Sequence, residues 1–284
     1  MALAEGIIFG LIAMLGWGAS KVIVKPAIRK LGPYNALLYE HIFLALLLVI
    51  FSAPFIKPVI PGTRTLVLLI SAVIIGSLAI YSLFRAFDIG KVSVTSPIAH
   101  SATLITVVLS ILFYDESLTT VQMLAVAFLI AGVIMISFRY SDLKKLRLRN
   151  TAPGAGFAAL TMLGWGIYFF MIKPIVMELG PLLSVVYLET GITIIIAVPL
   201  LLKKARLPDR TVYYTIFSGA AVALASWAFN MGIRTAPVSI VYPVANSSVL
   251  VTLLLSYIFL KERLESNQRL AIALIIIGLV LVSI

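Results

Sequence analysis

The chain alternates between long apolar runs and short segments of polar residues, glycine and proline. A helix that crosses a membrane needs about 20 mostly apolar residues, and the runs approach this length ten times. The pattern therefore predicts an all-α polytopic membrane protein with ten transmembrane helices. We number them spans 1 to 10 and place them at residues 5–24, 34–53, 65–84, 92–112, 119–138, 154–172, 181–202, 211–230, 237–259 and 267–284.

The second half of the chain repeats motifs of the first half at a nearly constant distance. The sequence MLGWG at residues 14–18 recurs at residues 162–166, an offset of 148. Later in each half the offset is 146, as it is for Pro97 and Pro243. An ordered series of such matches indicates an internal duplication. We call two residues related by these offsets repeat mates.

The duplication predicts two five-helix units, residues 1–140 and 153–284, joined by a basic linker at residues 141–152. Because five is an odd number, the second unit enters the membrane from the opposite side, which makes the fold a 5+5 inverted repeat. Transporters of this architecture hold their substrate near the membrane midplane between the repeats. The duplication therefore favours a secondary transporter over a channel.

Basic residues support the inversion and predict the orientation. The loops after spans 1, 3, 5, 7 and 9 contain 18 of the 22 lysines and arginines. The positive-inside rule places these loops in the cytoplasm, so both termini are expected outside the cell membrane. Orientation then accounts for the net charge of +11, and we predict no nucleic-acid partner.

Composition excludes a soluble enzyme. Hydrophobic residues make up 62% of the chain, charged residues 12%, and the mean hydropathy is +1.13, whereas soluble domains have about 25% charged residues. The chain has no cysteine, and it contains neither an HExxH nor a Gly-x-Ser-x-Gly motif. We predict no enzymatic activity, no cofactor and no metal site.

Ionisable residues within the spans are the first functional candidates, because charge at membrane depth is costly. Glu40 and His41 lie in span 2 and Glu189 lies in span 7. A carboxyl group at this depth can be protonated reversibly, and histidine titrates near neutral pH, so a proton is the candidate coupling ion. The alternative for each residue is a structural ion pair or hydrogen bond.

Aromatic and polar side chains complete the predicted substrate cavity, with helix packing or an interfacial aromatic belt as the alternative role. The cavity candidates are Trp17, Tyr39, Tyr81, His100, Trp165, Tyr187, Trp227, Asn230, Tyr242 and Asn246. Glycines that allow close helix packing and prolines that interrupt backbone hydrogen bonds are the candidate hinges or kinks: Gly16, Gly18, Pro97, Gly164, Gly166 and Pro243.

Charged residues outside these sets also have local interpretations. Arg85 and Asp88 are three residues apart and should pair on one helix face. Glu116 ends span 4, and its repeat mate Glu262 ends span 9, so each is expected either to cap the following helix or to contact a charge there. Lys173 lies on the side with few basic residues, where the orientation rule does not explain it.

The doubled motifs resemble the EamA-like permeases of the drug/metabolite transporter superfamily. They include Gly-Trp-Gly at 16–18, Gly-Lys-Val-Ser-Val at 90–94 and Asp-Glu-Ser-Leu at 115–118, followed by their counterparts in the second unit. The resemblance implies ten helices, alternating access and a small-molecule substrate. An amino-acid-like metabolite is the first hypothesis and a multidrug or lipid-linked substrate the alternative. The chain departs from the family where members commonly carry an arginine, at residues 39–41 and 187–189.

Overall fold

The computed structural model describes residues 2–56, 59–90, 92–137, 154–198, 210–261 and 265–284. The predicted linker at 141–152 and Glu262 lie outside the described residues. The ten spans occupy, in order, Ala2–Ile23 continued by Lys25–Leu31, Pro33–Ser52, Thr63–Ile89, Val92–His100 with Ala102–Tyr114, Thr120–Ile136, Ala155–Leu179, Pro181–Ala197, Val212–Thr235, Val238–Asn246 with Ser248–Leu260, and Ser266–Val282.

The helical prediction is confirmed. Within the described ranges, seven helical segments are long and apolar enough to cross a membrane, and spans 5, 7 and 10 are shorter apolar helices. Span 6 continues to Leu179, seven residues beyond its predicted end, because Pro174 is accommodated inside the helix. Its repeat mate Pro26 instead occupies the first turn of the short helix that follows Val24. Backbone N–H groups in the first turn have no acceptor within the helix, so a proline there costs no hydrogen bond.

Both units build their turns in the same way. Gly32 and Gly180 end the first helix of each unit at φ 82° and 79°, and a proline begins the next helix. Positive φ is costly for residues with a Cβ, so glycine suits this turn. Asp115 and Lys261 are also repeat mates, and both adopt the left-handed conformation, at φ 51° and 54°. The duplication is therefore visible in the backbone.

The two units are interleaved around a pseudo-twofold axis. Span 1 packs on span 8, and the repeat-related pair, span 6 and span 3, packs in the same way. A Cβ on Gly16 would lie 2.8 Å from Ala225 Cβ, and a Cβ on Gly164 would lie 2.8 Å from Ala79 Cβ. These contacts leave no room for a larger side chain, so the helices meet through their glycines.

A second set of mirrored contacts joins span 1 to span 9 and span 6 to span 4. The Thr252 hydroxyl donates to the Gly18 carbonyl over 2.9 Å, and the Thr106 hydroxyl donates to the Gly166 carbonyl over the same distance. Both threonines and both glycines are repeat mates. Spans 5 and 10 pack against each other through Gly132. The remaining eight spans are thereby free to surround the centre.

Candidate functional site

A cavity of about 170 Å³ lies between the two units. Both units line it, through all spans except 5 and 10 among the described residues. Nine of the sequence-predicted residues lie on its wall: Trp17, Glu40, His41, His100, Trp165, Glu189, Asn230, Tyr242 and Asn246. The structure thus brings together residues that are up to 229 positions apart in the chain.

Four other predicted cavity residues lie elsewhere. Tyr81 is 54% exposed, Tyr39 packs beside the short helix after span 1, and the Tyr187 hydroxyl donates to the Val59 carbonyl over 3.3 Å. Trp227 meets Phe9 edge to face. All four are aromatic residues that lie in the predicted spans. Their side chains are not part of the cavity wall.

Two buried carboxyl groups form part of the wall. Glu40 is 3% exposed and accepts a hydrogen bond from the Ser218 hydroxyl of span 8. Glu189 is 9% exposed and is hydrogen bonded to Ser226 of the same span. Each carboxyl group therefore has a serine hydroxyl of span 8 as a hydrogen-bond partner.

His41 lies next to Glu40 and is the repeat mate of Glu189. Its Nδ1 is 3.0 Å from the Leu37 carbonyl oxygen. Because a carbonyl only accepts, Nδ1 carries the proton. His41 and Glu189 both line the cavity, so the two mates of a single ancestral position now contribute side chains of different chemistry to it.

His100 and Asn246, also repeat mates, meet where spans 4 and 9 are interrupted. His100 Nδ1 is 3.3 Å from Asn246 Oδ1, and Asn246 Nδ2 donates to the His100 carbonyl over 3.3 Å. Asn246 Nδ2 also donates to the Thr103 hydroxyl. Because repeat mates contact each other only at a symmetry axis, this cluster marks the pseudo-twofold axis.

The interruptions of spans 4 and 9 follow the candidate kink prolines by four residues. The Ser101 hydroxyl donates to the Pro97 carbonyl over 2.8 Å, and the Ser247 hydroxyl donates to the Pro243 carbonyl over 2.9 Å. The sequence predicts that these prolines present free carbonyls to the cavity. The carbonyl that loses its helical donor belongs to the residue four positions before each proline. The serine hydroxyls add a second donor to the proline carbonyls, which also accept the backbone amides of Ser101 and Ser247 over 3.1 Å.

Aromatic rings pack around the cavity. Phe169 stacks on Tyr242 with 4.2 Å between ring centroids, and it meets Trp17 and Phe229 at 5.8 and 5.4 Å. Sequence reasoning missed Phe169 and the cavity role of Lys21. The missed signal was helical periodicity, since Lys21 lies four residues after Trp17 and Phe169 lies four residues after Trp165, on the same faces.

At one end of the molecule, Glu116 joins the two units. It is 8% exposed, and its carboxylate oxygens accept from Lys173 Nζ at 2.6 Å, the Val238 amide at 2.8 Å, the Ser239 amide at 2.9 Å and the Ser239 hydroxyl at 2.6 Å. All three donor residues belong to the second unit. We call these four residues the Glu116 cluster.

The Glu116 cluster resolves the two alternatives that the sequence left for this residue. Thr119 and Gln122 cap the following helix in a capping box, so Glu116 does not. It caps the first half of span 9 instead, where its charge meets the helix N-terminus. Burial alone would raise the pKa of Glu116, but hydrogen bonds from Lys173, Ser239 and Val238 lower this pKa below its ordinary value.

Comparisons with known proteins agree with the geometry. A family model described as the EamA-like transporter family matches residues 4–138 and again residues 152–284. Uncharacterized protein MJ1333.1 of Methanocaldococcus jannaschii is 31% identical over 137 residues, which are 48% of this chain and 98% of that protein. A solved crystal structure superposes with a TM-score of 0.80 at 15% identity and covers 98% of each chain, which shows a shared fold.

Proposed function

Because the chain belongs to the EamA-like transporter family, we propose that it is a secondary transporter that moves a small polar or amphipathic metabolite across the cell membrane by alternating access. The observation that carries this proposal is the cavity between the interleaved units, whose wall includes the repeat mates His100 and Asn246 on the axis. A rearrangement that exchanges the roles of the two units opens the same cavity to the other side.

The cavity wall favours an amino-acid-like substrate. Lys21 supplies a cation, and Glu40 and Glu189 supply carboxyl groups, so a zwitterion finds a partner for each of its charges. Aromatic rings beside these groups suit an apolar side chain. A multidrug or lipid-linked substrate is the second hypothesis, but these three residues, together with His41 and His100 on the same wall, favour a charged substrate over an uncharged lipophilic one.

A panel of metabolites tests the substrate class. Purified full-length protein is heated with each compound, and the unfolding temperature is recorded. Because a ligand that binds only the folded state stabilises it, we expect free amino acids or related zwitterions to raise the unfolding temperature most. Stabilisation by uncharged lipophilic compounds alone would reject the amino-acid hypothesis in favour of the multidrug one.

Proton coupling through Glu40 or Glu189 gives a second test. In proteoliposomes, Glu40→Gln is expected to abolish uptake driven by a proton gradient, while counterflow exchange of substrate survives, because exchange needs no net proton movement. Glu189→Gln is measured in parallel to decide which carboxyl group carries the proton. Asp88→Asn is the control, since Asp88 lies on the surface beside Arg85. Normal gradient-driven uptake in both glutamine variants would exclude coupling at these residues.

The orientation is tested by labelling. A single cysteine between residues 139 and 151 is expected to react with a membrane-impermeant maleimide only after the membrane is made permeable, because this basic loop is proposed to be cytoplasmic. The native chain has no cysteine, so there is no background reaction. Labelling in intact cells would reverse the orientation and place both termini inside.

A further inference from the structure

We propose that the Glu116 cluster is a gate latch, an ion pair between the units that keeps the cavity closed on the membrane face where spans 4 and 6 end. This inference rests on the proposed alternating access and adds a residue that governs it. Glu116 does not line the cavity, so we treat it as a positioning residue that acts through spans 6 and 9.

The position of the cluster suits a gate. Glu116 comes from the end of span 4 in the first unit, and the four donor groups of the cluster come from span 6 or span 9 in the second unit. Opening this face requires the ends of spans 4, 6 and 9 to separate. Such a separation breaks all four contacts together, because all of them converge on a single carboxylate.

The cluster also lies directly above the cavity along the same helices. Lys173 follows Ile172, which is 3% exposed and lines the cavity. Ser239 begins the short half of span 9 that carries Tyr242 and ends at Asn246, both of them on the cavity wall. Movement of Lys173 and Ser239 away from Glu116 is therefore transmitted to residues on the cavity wall.

The two charges of the latch are not equivalent, so their removal is expected to have different effects. Glu116 neutralises the N-terminus of the span 9 half-helix as well as Lys173. Removing the charge of Glu116 therefore leaves two backbone amides, a hydroxyl and an ammonium group without their anion. Removing the charge of Lys173 leaves Glu116 with its three other hydrogen bonds.

The repeat mates of this cluster provide a matched control. Glu262 is the mate of Glu116, and Lys25 is the mate of Lys173. Lys25 Nζ donates to the Ser256 hydroxyl of span 9 over 3.3 Å, so this lysine also reaches from the first helix of one unit to the other unit. Glu262→Gln makes the same chemical change at the mate position, and a latch specific to the Glu116 face does not respond to it.

The experiment measures access to a single cysteine introduced below the latch by Ile172→Cys. This variant is labelled with a membrane-impermeant maleimide in intact cells and in inverted membrane vesicles, and Asp115→Cys marks which preparation exposes the Glu116 face. Adding Glu116→Gln is expected to increase the labelling rate at position 172 from that face roughly tenfold or more, because it removes several charge-assisted hydrogen bonds. Adding Lys173→Met is expected to give a smaller increase.

Two controls separate gating from general damage. Asp115→Asn makes the same chemical change at the neighbouring exposed residue and is expected to leave the rate unchanged. Glu262→Gln is expected to leave labelling from the Glu116 face unchanged. A Glu116→Gln variant that is not monodisperse after purification is set aside, and Lys173→Met alone then decides.

The inference is overturned if Ile172→Cys reacts from the Glu116 face as fast as Asp115→Cys when each is the only substitution, since the face is then open. It is also overturned if neither Glu116→Gln nor Lys173→Met exceeds Asp115→Asn, or if Glu262→Gln increases the rate as much as Glu116→Gln. Labelling needs no substrate, so its failure is distinct from failure of the proposed function, which is seen as absence of counterflow in the native protein.

Discussion

Glu116 lies outside the cavity, and its contribution to the stability of the fold depends on whether its carboxyl group is charged. Hydrogen bonds to its charged form hold its pKa below the ordinary value of 4.5. A carboxyl group whose pKa is lower in the folded state stabilises the fold above its unfolded-state pKa and loses this contribution as the pH falls through the folded-state pKa. The contribution is therefore complete at neutral pH.

The expected outcome is a difference between native protein and Glu116→Gln that depends on pH. In unfolding measurements in detergent from pH 3 to 8, the native protein should be more stable by a constant amount above about pH 5, and the difference should shrink below about pH 4.5. Asp115→Asn provides the matched control. A difference that persists undiminished to pH 3 would show that the charge of Glu116 does not stabilise the cluster.

The two ion pairs differ in how far they can be predicted from the sequence. Arg85 and Asp88 are three residues apart on one helix, and their predicted pair is confirmed at 2.7 Å. Lys173 and Glu116 form the closer ion pair, at 2.6 Å, yet they are 57 residues apart and belong to different units. Helical periodicity predicts the first pair, whereas the second requires knowledge of which helices are neighbours.

At the scale of helices, glycines determine which spans can approach each other. A Cβ on Gly18 would lie 2.4 Å from Val251 Cβ and 2.6 Å from the Ser248 carbonyl oxygen, whereas a Cβ on Gly156 would meet nothing within 4 Å. The two positions therefore make a matched pair for the same substitution.

We expect Gly18→Ala to destabilise the protein by about 1–3 kcal/mol through overpacking and Gly156→Ala to be neutral or slightly stabilising. Thermal unfolding in detergent measures both. Gly166→Ala should resemble Gly18→Ala, because a Cβ there would lie 2.5 Å from the Cβ of Ile105, the repeat mate of Val251. Equal stability of the Gly18 and Gly156 variants would contradict the close packing at Gly18.

The sequence predicted the helices and their duplication better than the local geometry within each helix. The offsets of 148 and 146 residues revealed the duplication, but Pro26 and Pro174 are equivalent in the sequence and differ in the structure. The first proline begins a short helix and the second lies inside a long one. The interruption before Pro26 is the single residue Val24, and backbone hydrogen bonds from Val24 to Ser20 and from Ile28 to Val24 continue across it. The sequence offset alone does not reveal this interruption.

At the scale of the whole molecule, the interleaved contacts predict that neither unit is stable alone. Span 1 packs mainly on span 8 and span 3 on span 6, so each unit exposes glycine-lined faces without its partner. We expect residues 1–140 and 153–284, produced as separate chains in one cell, to copurify, and each chain alone to aggregate or be degraded.

A substitution at the interface provides the control for this experiment. Gly164→Val in the second chain should abolish copurification, since Gly164 already contacts Ala79 of the first unit, while Gly156→Ala should preserve it. Independent folding of either half would contradict the interleaved core.

The pseudo-twofold axis has a thermodynamic consequence for the proposed transport cycle. Opening to either side is proposed to use the same helix contacts with the roles of the two halves exchanged. Each pair of identical mates then contributes equally to the free energies of the two end states, and its contribution to the difference between them cancels. The preference for one state then resides in the mates that have diverged, such as Lys21 and Phe169 or His41 and Glu189. The diverged mates, and not the identical ones, therefore determine in which direction the empty carrier rests.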